Sequence, residues 1–201
     1  MRPLAESLTP RVLIPKRVFL MTNIREESAS DHDAVRRLTT DAFTDSEFGH
    51  NGEADLVEAL RDTCGHSLSL VACEEGVIVG HILLTRVVIR GPEGETKGMG
   101  LGPMSVAVER QNQGIGSSLV KTALQRSSET GWPFVVVLGH PGSYPRFGFH
   151  LASEHNVSHG FDGIPQDVFF YKPLASEPDR APVQGKAYYR SEFGSQHTTP
   201  S

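Results

Sequence analysis

Two rhythms of apolar residues alternate along this chain. Residues 22–27 read as a short first strand, and Ser30-Asp31-His32-Asp33 offers a capping box for a helix running through Ala42, with Ala34, Val35, Leu38 and Ala42 on one face. A polar loop at 44–52 leads to a second helix at 53–63, where Leu56, Val57, Ala59 and Leu60 share a face and Gly65 follows as a stop. The period then shortens. Apolar runs at 68–73 and 77–88, separated by Glu74-Glu75-Gly76, predict a β-hairpin. Gly91-Pro92-Glu93-Gly94 turns the chain into a fourth strand around 99–106. Helical spacing returns at 114–130, with Ile115, Leu119, Val120, Ala123 and Leu124 as the inner stripe and Gly131 as the stop. Residues 133–138 form a fifth strand and 168–174 a further one. Strands with an early helix pair and a helical crossover between strands four and five predict a mixed α/β (α+β) sheet protein.

The two ends of the chain lack this periodicity. Residues 1–20 hold three prolines and scattered basic residues, without the apolar core of a signal peptide, and are expected to form a poorly ordered extension before a domain at 21–174. Residues 175–201 turn to Pro, Ser, Gly, Gln and Thr and are expected to be a flexible tail. A chain of 201 residues, 38% hydrophobic and 21% charged, can bury a full core. Its net charge of -5 argues against a general nucleic-acid or anionic-membrane binder. Cys64 and Cys73 are the only cysteines and have no C-x-x-C spacing, which fits a reducing cytoplasm rather than a disulfide framework. No apolar run approaches the roughly 18 residues of a membrane helix.

Two stretches carry candidate chemistry. The first, MSVAVERQNQGIGSSL at 104–119, joins an apolar run to a polar turn and then to two glycines that open a helix. Unpaired N–H groups in a first helical turn, with the positive end of the helix dipole, attract an anion, and Gly114 and Gly116 let that anion approach the backbone. Walker and dinucleotide loops are excluded, since no Gly-Lys-Ser/Thr is present and Leu119 stands where a third glycine is needed. The second stretch, FVVVLGHPGSYPRFGF at 134–149, is a buried strand, a Gly/Pro turn and Tyr144, four residues before Gly148-Phe149.

Gln111-x-x-Gly114-x-Gly116 resembles the acyl-CoA pyrophosphate loop of the GNAT N-acetyltransferase superfamily, and the Tyr-x-x-x-Gly-Phe stretch resembles the segment that follows it in bacterial acetyltransferases of that type. The resemblance spans about residues 22–174. It implies a mostly antiparallel central sheet, flanked by helices, in which strands four and five splay apart to admit the pantetheine arm of acetyl-CoA. The implied contacts are the backbones of Met104 and Val106 for pantetheine, and of Gln111, Asn112, Gln113, Gly114, Ile115, Gly116 and Ser117 for the pyrophosphate. Tyr144 is the implied general acid for the leaving thiolate, a phenol with a free pKa near 10. Pro145 is expected to push Tyr144 out of helical geometry.

The implied reaction moves an acetyl group from acetyl-CoA to a small amine or a protein amino group by direct attack in a ternary complex. A non-catalytic acyl-CoA-binding sensor or interaction module is the alternative. No metal, nucleic acid or membrane is expected to take part, and a monomer or homodimer is expected. For the base, Glu47, His50 and Glu53 lie around the first inter-helix loop; Glu53 is the candidate, although an acid there also suits a helix start. Glu109 reads as solvated surface, and Arg110 as a phosphate partner or a solvated loop charge. His140, His150, His155 and His159 lack a metal-binding spacing and read as polar loop residues near an acceptor cleft. Both cysteines read as structural.

Overall fold

The computed structural model describes residues 21–44, 52–63, 67–174 and 182–194. Its strands are β1 (Asn23–Glu26), β2 (Ser67–Glu74), β3 (Val77–Gly91), β4 (Gly94–Val106), β5 (Phe134–Leu138), β6 (His150–Leu151), β7 (Val157–His159), β8 (Phe169–Pro173) and β9 (Gly185–Tyr188). Its helices are α1 (His32–Thr44), α2 (Glu53–Thr63) and α3 (Ile115–Glu129). The strands lie in the order β1-β2-β3-β4-β5-β8-β6, and β9 pairs with both β3 and β7. Among the described residues only β4 with β5 and β7 with β9 run parallel, and the other pairs are antiparallel.

Strand alternation sorts the core into two faces. Leu70, Ala72, Ile82 and Leu84 point to α3 and pack against Ile115, Leu119, Val120 and Ala123. Val71, Cys73 and Leu83 point the other way, to Val35 of α1 and to Val57 and Leu60 of α2. Gly80 marks where α3 lies closest to the sheet: a Cβ there would meet Ile115 Cγ2 at 2.9 Å and Leu119 Cδ1 at 3.0 Å. Farther along the second face, Phe134, Val136, Phe169 and Tyr171 pack with Ala187 and Tyr189.

Three expectations change. The first helix is entered from Ser28 rather than Ser30: the Asp31 carboxylate reaches back to the Ser28 N–H at 2.8 Å, while Arg25 donates to it at 2.6 and 2.9 Å. Ser30 lies within the 3-10 turn at Ala29–Asp31, where it cannot cap. Second, the expected flexible tail contains ordered structure. Gly185–Tyr188 pairs antiparallel with β3 through Val88, Ile89 and Arg90, and Ala187 is fully buried. Two glycines allow that approach, because a Cβ at Gly91 would meet the Gln184 carbonyl oxygen at 2.0 Å and one at Gly185 the Arg90 carbonyl oxygen at 2.0 Å. Third, the segment at 153–166, expected to be a loop, carries a 3-10 turn at Ala152–His155 and β7. Residues 1–20, and residues 45–51 with Glu47 and His50, lie outside the described residues, as does Cys64.

Candidate active site

β4 leaves β5 early. Only Met99, Gly100 and Leu101 pair with Val135, Val136 and Val137, and beyond them the strands part. At the same point β4 carries an irregularity against Ile82–Leu84, with Gly102 at φ 136 and Pro103 supplying no N–H. The extra residue changes the alternation: Leu101 faces α3, and after the bulge so do Met104 and Val106, while Ser105 turns to α1. The Ala107 N–H is used on the β3 side, by Val79 O at 3.0 Å. By the same alternation the backbones of Met104 and Val106 are directed to the β5 side, where β4 has no partner strand. The Val106 carbonyl there accepts the Gln111 side-chain amide at 3.2 Å.

A 3-10 turn, Val108–Arg110, then leads to the glycine loop. Gln111, Asn112 and Gln113 are exposed, Asn112 takes a left-handed φ of 57, and Gly114 takes φ 90. Gln113 ties the loop down through a bond to Glu109 O at 2.9 Å. The first intrahelical bond runs from Ser118 N–H to Gly114 O at 2.9 Å, so the N–H groups of Ile115, Gly116 and Ser117 have no helical acceptor. Ile115 buries its side chain in the core and offers only its backbone to the loop. At Gly116 a Cβ would make ordinary contacts, 3.6 Å to Val106 Cγ2 and 3.7 Å to Met104 Cε, and at Gly114 nothing lies within 4 Å. The protein's own packing therefore leaves this surface open, and it fits an anionic group on exposed amides. Arg110 is neither a free phosphate partner nor a solvated charge. It is committed to Glu74, which also accepts from Thr22 Oγ1 at 2.8 Å. Burial pushes the Glu74 carboxyl up, but Thr22 and Arg110 outweigh it and hold the carboxyl below its usual range.

Tyr144 follows β5 by six residues. Its ring lies on the backbone of Gly139, just past β5, where a Cβ would meet Cε2 at 2.3 Å. It also packs edge-on to Phe149 at 5.7 Å and tilted on Phe170 at 6.0 Å, in the cluster that holds Leu101, Val137 and Met104. Contrary to expectation, Tyr144 is helical (φ -94, ψ -27) despite Pro145, because it caps the 3-10 turn Pro145–Phe147 and its carbonyl accepts the Phe147 N–H at 2.9 Å. Burial raises its phenol above the ordinary tyrosine value, which keeps it protonated and able to donate.

Glu53 is placed elsewhere. It opens α2, accepts the Gly52 N–H at 3.1 Å, and belongs to the layer on the face opposite Tyr144. Among the histidines, His155 stacks between His150 (5.7 Å) and Tyr171 (4.9 Å). His159 is buried, with Nδ1 accepting from Phe161 N–H and Nε2 on the Pro165 carbonyl, both at 3.2 Å; burial pushes it below the usual histidine range. Among the described residues, no three His, Cys, Asp or Glu side chains are arranged to hold a metal ion. Cys73 is a buried free thiol in β2.

Sequence reasoning missed a buried polar group on the α1/α2 face. Glu27, just past β1, accepts from Arg61 of α2 and from Ser69 Oγ at 2.5 Å, and Ser69 Oγ is also 2.9 Å from His81 Nε2. Burial pushes the Glu27 carboxyl up, but the nearby His81 ring and the hydrogen bonds from Arg61 and Ser69 outweigh it and bring it down to about 2. The available signal was a histidine and a serine inside otherwise apolar strand runs. A cavity of about 650 Å³ at the far end of α3 is lined by Glu27, Arg61 and Ser69 together with Arg126, Ser127 and Trp132; none of the sequence-predicted site residues lines it.

Comparison with known proteins points to one family. Residues 23–152 match the family model described as an acetyltransferase (GNAT) domain. The chain is 35% identical over 154 residues to the uncharacterized N-acetyltransferase YhbS of Escherichia coli, covering 76% of this chain and 90% of that protein. It is 38% identical over 122 residues to the uncharacterized N-acetyltransferase YjhQ of the same organism, covering 60% of this chain and 65% of the relative. Among solved structures, E. coli YhbS in complex with CoA superposes with a TM-score of 0.76 at 28% identity, over 94% of this chain and 96% of that one. A Brucella melitensis GNAT family acetyltransferase in complex with acetyl-CoA superposes at 0.70 with 33% identity, over 87% and 99%.

Proposed function

The chain belongs to the GNAT acetyltransferase family, and on that premise we propose that it transfers an acetyl group from acetyl-CoA to a primary amine by direct attack in a ternary complex. The observation that carries this reading is the parting of β4 from β5 after Leu101, with unpartnered β4 backbone on one side and the open first turn of α3 at its end. Pantetheine lies along Met104 and Val106, and the pyrophosphate sits on the amides of residues 111–117. Tyr144 protonates the departing thiolate. The acceptor is a small amine or a protein amino group, and the buried free thiol of Cys73 supports a reducing, cytoplasmic setting. No described helix is long and apolar enough to cross a membrane.

Thermal unfolding with acetyl-CoA, CoA and ATP tests the binding half of this reading, since a ligand that binds only the folded state raises the transition. Acetyl-CoA and CoA are expected to raise it and ATP to leave it unchanged; no shift with acetyl-CoA near a millimolar would refute the site. The placement of Glu53 away from Tyr144 favours, as a second reading, a sensor that binds acyl-CoA without turnover. Thiol release from acetyl-CoA in the presence of a panel of primary amines separates the two.

A further inference from the structure

The loop between β4 and α3 has little of its own to hold its shape. Val108, Glu109 and residues 111–114 are exposed, and Asn112 and Gly114 take left-handed φ values of 57 and 90. Gln111 donates to the Val106 carbonyl and Gln113 to the Glu109 carbonyl, so these bonds join the loop only to itself and to the last residue of β4. An exposed segment of this kind samples many arrangements unless a group outside it selects one. Ordering it at the moment a ligand binds then costs affinity.

Among the described residues, the loop side chain that reaches beyond 106–113 by a hydrogen bond or ion pair is Arg110. It crosses from the end of the 3-10 turn to Glu74, the last residue of β2. Glu74 is a firm anchor. It pairs with Val77 across the two-residue turn Glu75-Gly76, whose φ values of 49 and 82 are those of a tight hairpin. Its side chain is 6% exposed and both carboxylate oxygens are engaged, Oε2 by Arg110 Nη2 and Oε1 by Thr22 Oγ1 at 2.8 Å. One end of a charge-assisted bond is therefore built into the sheet, and the other stands one residue before Gln111.

Two roles for Arg110 predict opposite effects of removing Glu74. If Arg110 were a phosphate ligand held back by the carboxylate, losing Glu74 would release it and tighten the binding of an anion. If Arg110 is a strut, losing Glu74 frees the loop and weakens that binding. The geometry favours the strut. The Arg110 side chain is only 24% exposed, its guanidinium is neutralised by a buried carboxylate, and Thr22 holds that carboxylate in place from the residue before β1. Removing one partner of such a pair leaves the other uncompensated, so the two act together.

We infer that Glu74 and Arg110 are positioning residues for acyl-CoA: their ion pair fixes the loop at 108–114 so that the amides of residues 111–117 converge on one pyrophosphate, and neither side chain touches the ligand. The inference rests on the transferase reading, and only on its cosubstrate half. It adds two residues to the site, one of them 37 positions before Gln111 and in a different hairpin. The ligand class is a pyrophosphate carried on an acyl-pantetheine arm. The pair acts on the pyrophosphate end of that ligand alone, because the β4 backbone at Met104 and Val106 lies upstream of the loop it holds.

The test uses the full chain and two probes: acetyl-CoA by calorimetric titration, and S-acetylpantetheine, which has the thioester arm but no pyrophosphate, by NMR titration. Glu74→Leu and Arg110→Met are each expected to weaken acetyl-CoA binding about tenfold, and the double variant to bind no more weakly than the weaker single variant, because the two residues form one unit. S-Acetylpantetheine is expected to bind native and variant chains within about twofold of each other, which general damage to the fold would not allow. Glu74→Gln, which keeps the size of the side chain, replaces Glu74→Leu if that variant does not fold, with a loss of the same sign expected. Native-like or tighter acetyl-CoA binding without the Glu74 carboxylate would overturn the inference, as would additive losses in the double variant or an equal loss for both probes. Those outcomes leave the transferase reading standing, whereas a native chain that does not bind acetyl-CoA would refute both.

Discussion

Substituting Gly80 separates tertiary packing from local propensity at the base of the glycine loop that opens α3. In Gly80→Ala the new Cβ meets Ile115 Cγ2 at 2.9 Å and Leu119 Cδ1 at 3.0 Å, with Ala72 Cβ at 3.3 Å. All three neighbours are buried, so the first turn of α3 must lift or its side chains must leave their rotamers. Overpacking of this kind costs about 1–3 kcal/mol, and the reduced chain entropy of alanine against glycine returns about 0.5–1 kcal/mol. Taken at mid-range the two leave a net loss of about 1 kcal/mol, a fall in Tm of about 2–4 °C for a chain of this size. The turn that moves carries the open amides of Ile115, Gly116 and Ser117, so acetyl-CoA affinity falls along with stability. Gly116→Ala is the control: its Cβ makes contacts of 3.6–3.9 Å only, and a better helix former there leaves stability unchanged or raises it by up to about 1 kcal/mol. Differential scanning calorimetry and acetyl-CoA titration on both variants decide the matter. A Gly80→Ala protein as stable as the native one, with unaltered acetyl-CoA affinity, would show that the close approach of α3 to β3 does not govern the loop.

Three further expectations are measurable. Tyr144→Phe keeps the ring contacts with Phe149 and Phe170, so acetyl-CoA affinity holds while kcat falls roughly 10²-fold, and an unchanged kcat would remove the phenol from the chemistry. Gly114→Ala places a side chain at φ 90, which costs about 1–2 kcal/mol even with open space around it, and weakens acetyl-CoA binding in a titration. Glu27 has a folded-state value of about 2, below the unfolded value near 4.3, so its contribution is present above pH ~4.3 and is lost as pH falls toward 2; at about 1.4 kcal/mol per unit this is about 3 kcal/mol. Urea unfolding of the native chain and Glu27→Gln between pH 6 and 2.5 should therefore show a flatter acid limb in the variant, and parallel limbs would exclude Glu27 as the source.

The parts of the fold that were legible in the sequence are those whose signal is local. The 3.6-residue stripe of Ile115, Leu119, Val120 and Ala123 marked α3, and the Glu75-Gly76 turn marked the β2–β3 hairpin. Gly114 mattered through a positive φ that only glycine supplies cheaply, so it could be read without a partner. β9 was not legible. Its four residues show no usable period, and it forms because Gly91 and Gly185 let two backbones meet, which is a property of a pair far apart in the chain. The bulge in β4 was hidden for a similar reason: one additional residue at Gly102–Pro103 reverses which side chains face α3, and composition does not reveal that. The group at Glu27, Ser69 and His81 assembles from the end of β1 and two strands, with Arg61 arriving from a helix, so its members carry meaning only once the sheet has brought them together.

The parting of β4 from β5 has a consequence for what the sheet accepts. Between Leu101 and Val106 the molecule has a strand edge in its interior, polar backbone facing an opening rather than a neighbour. On the proposed reading a pantetheine arm, a narrow chain with amides spaced along it, would act as a substitute strand, and the cosubstrate would complete the sheet as an added peptide does. The amide protons of Met104 and Val106 should then exchange slowly only when that space is filled, making the unliganded protein locally the less cooperative of the two states.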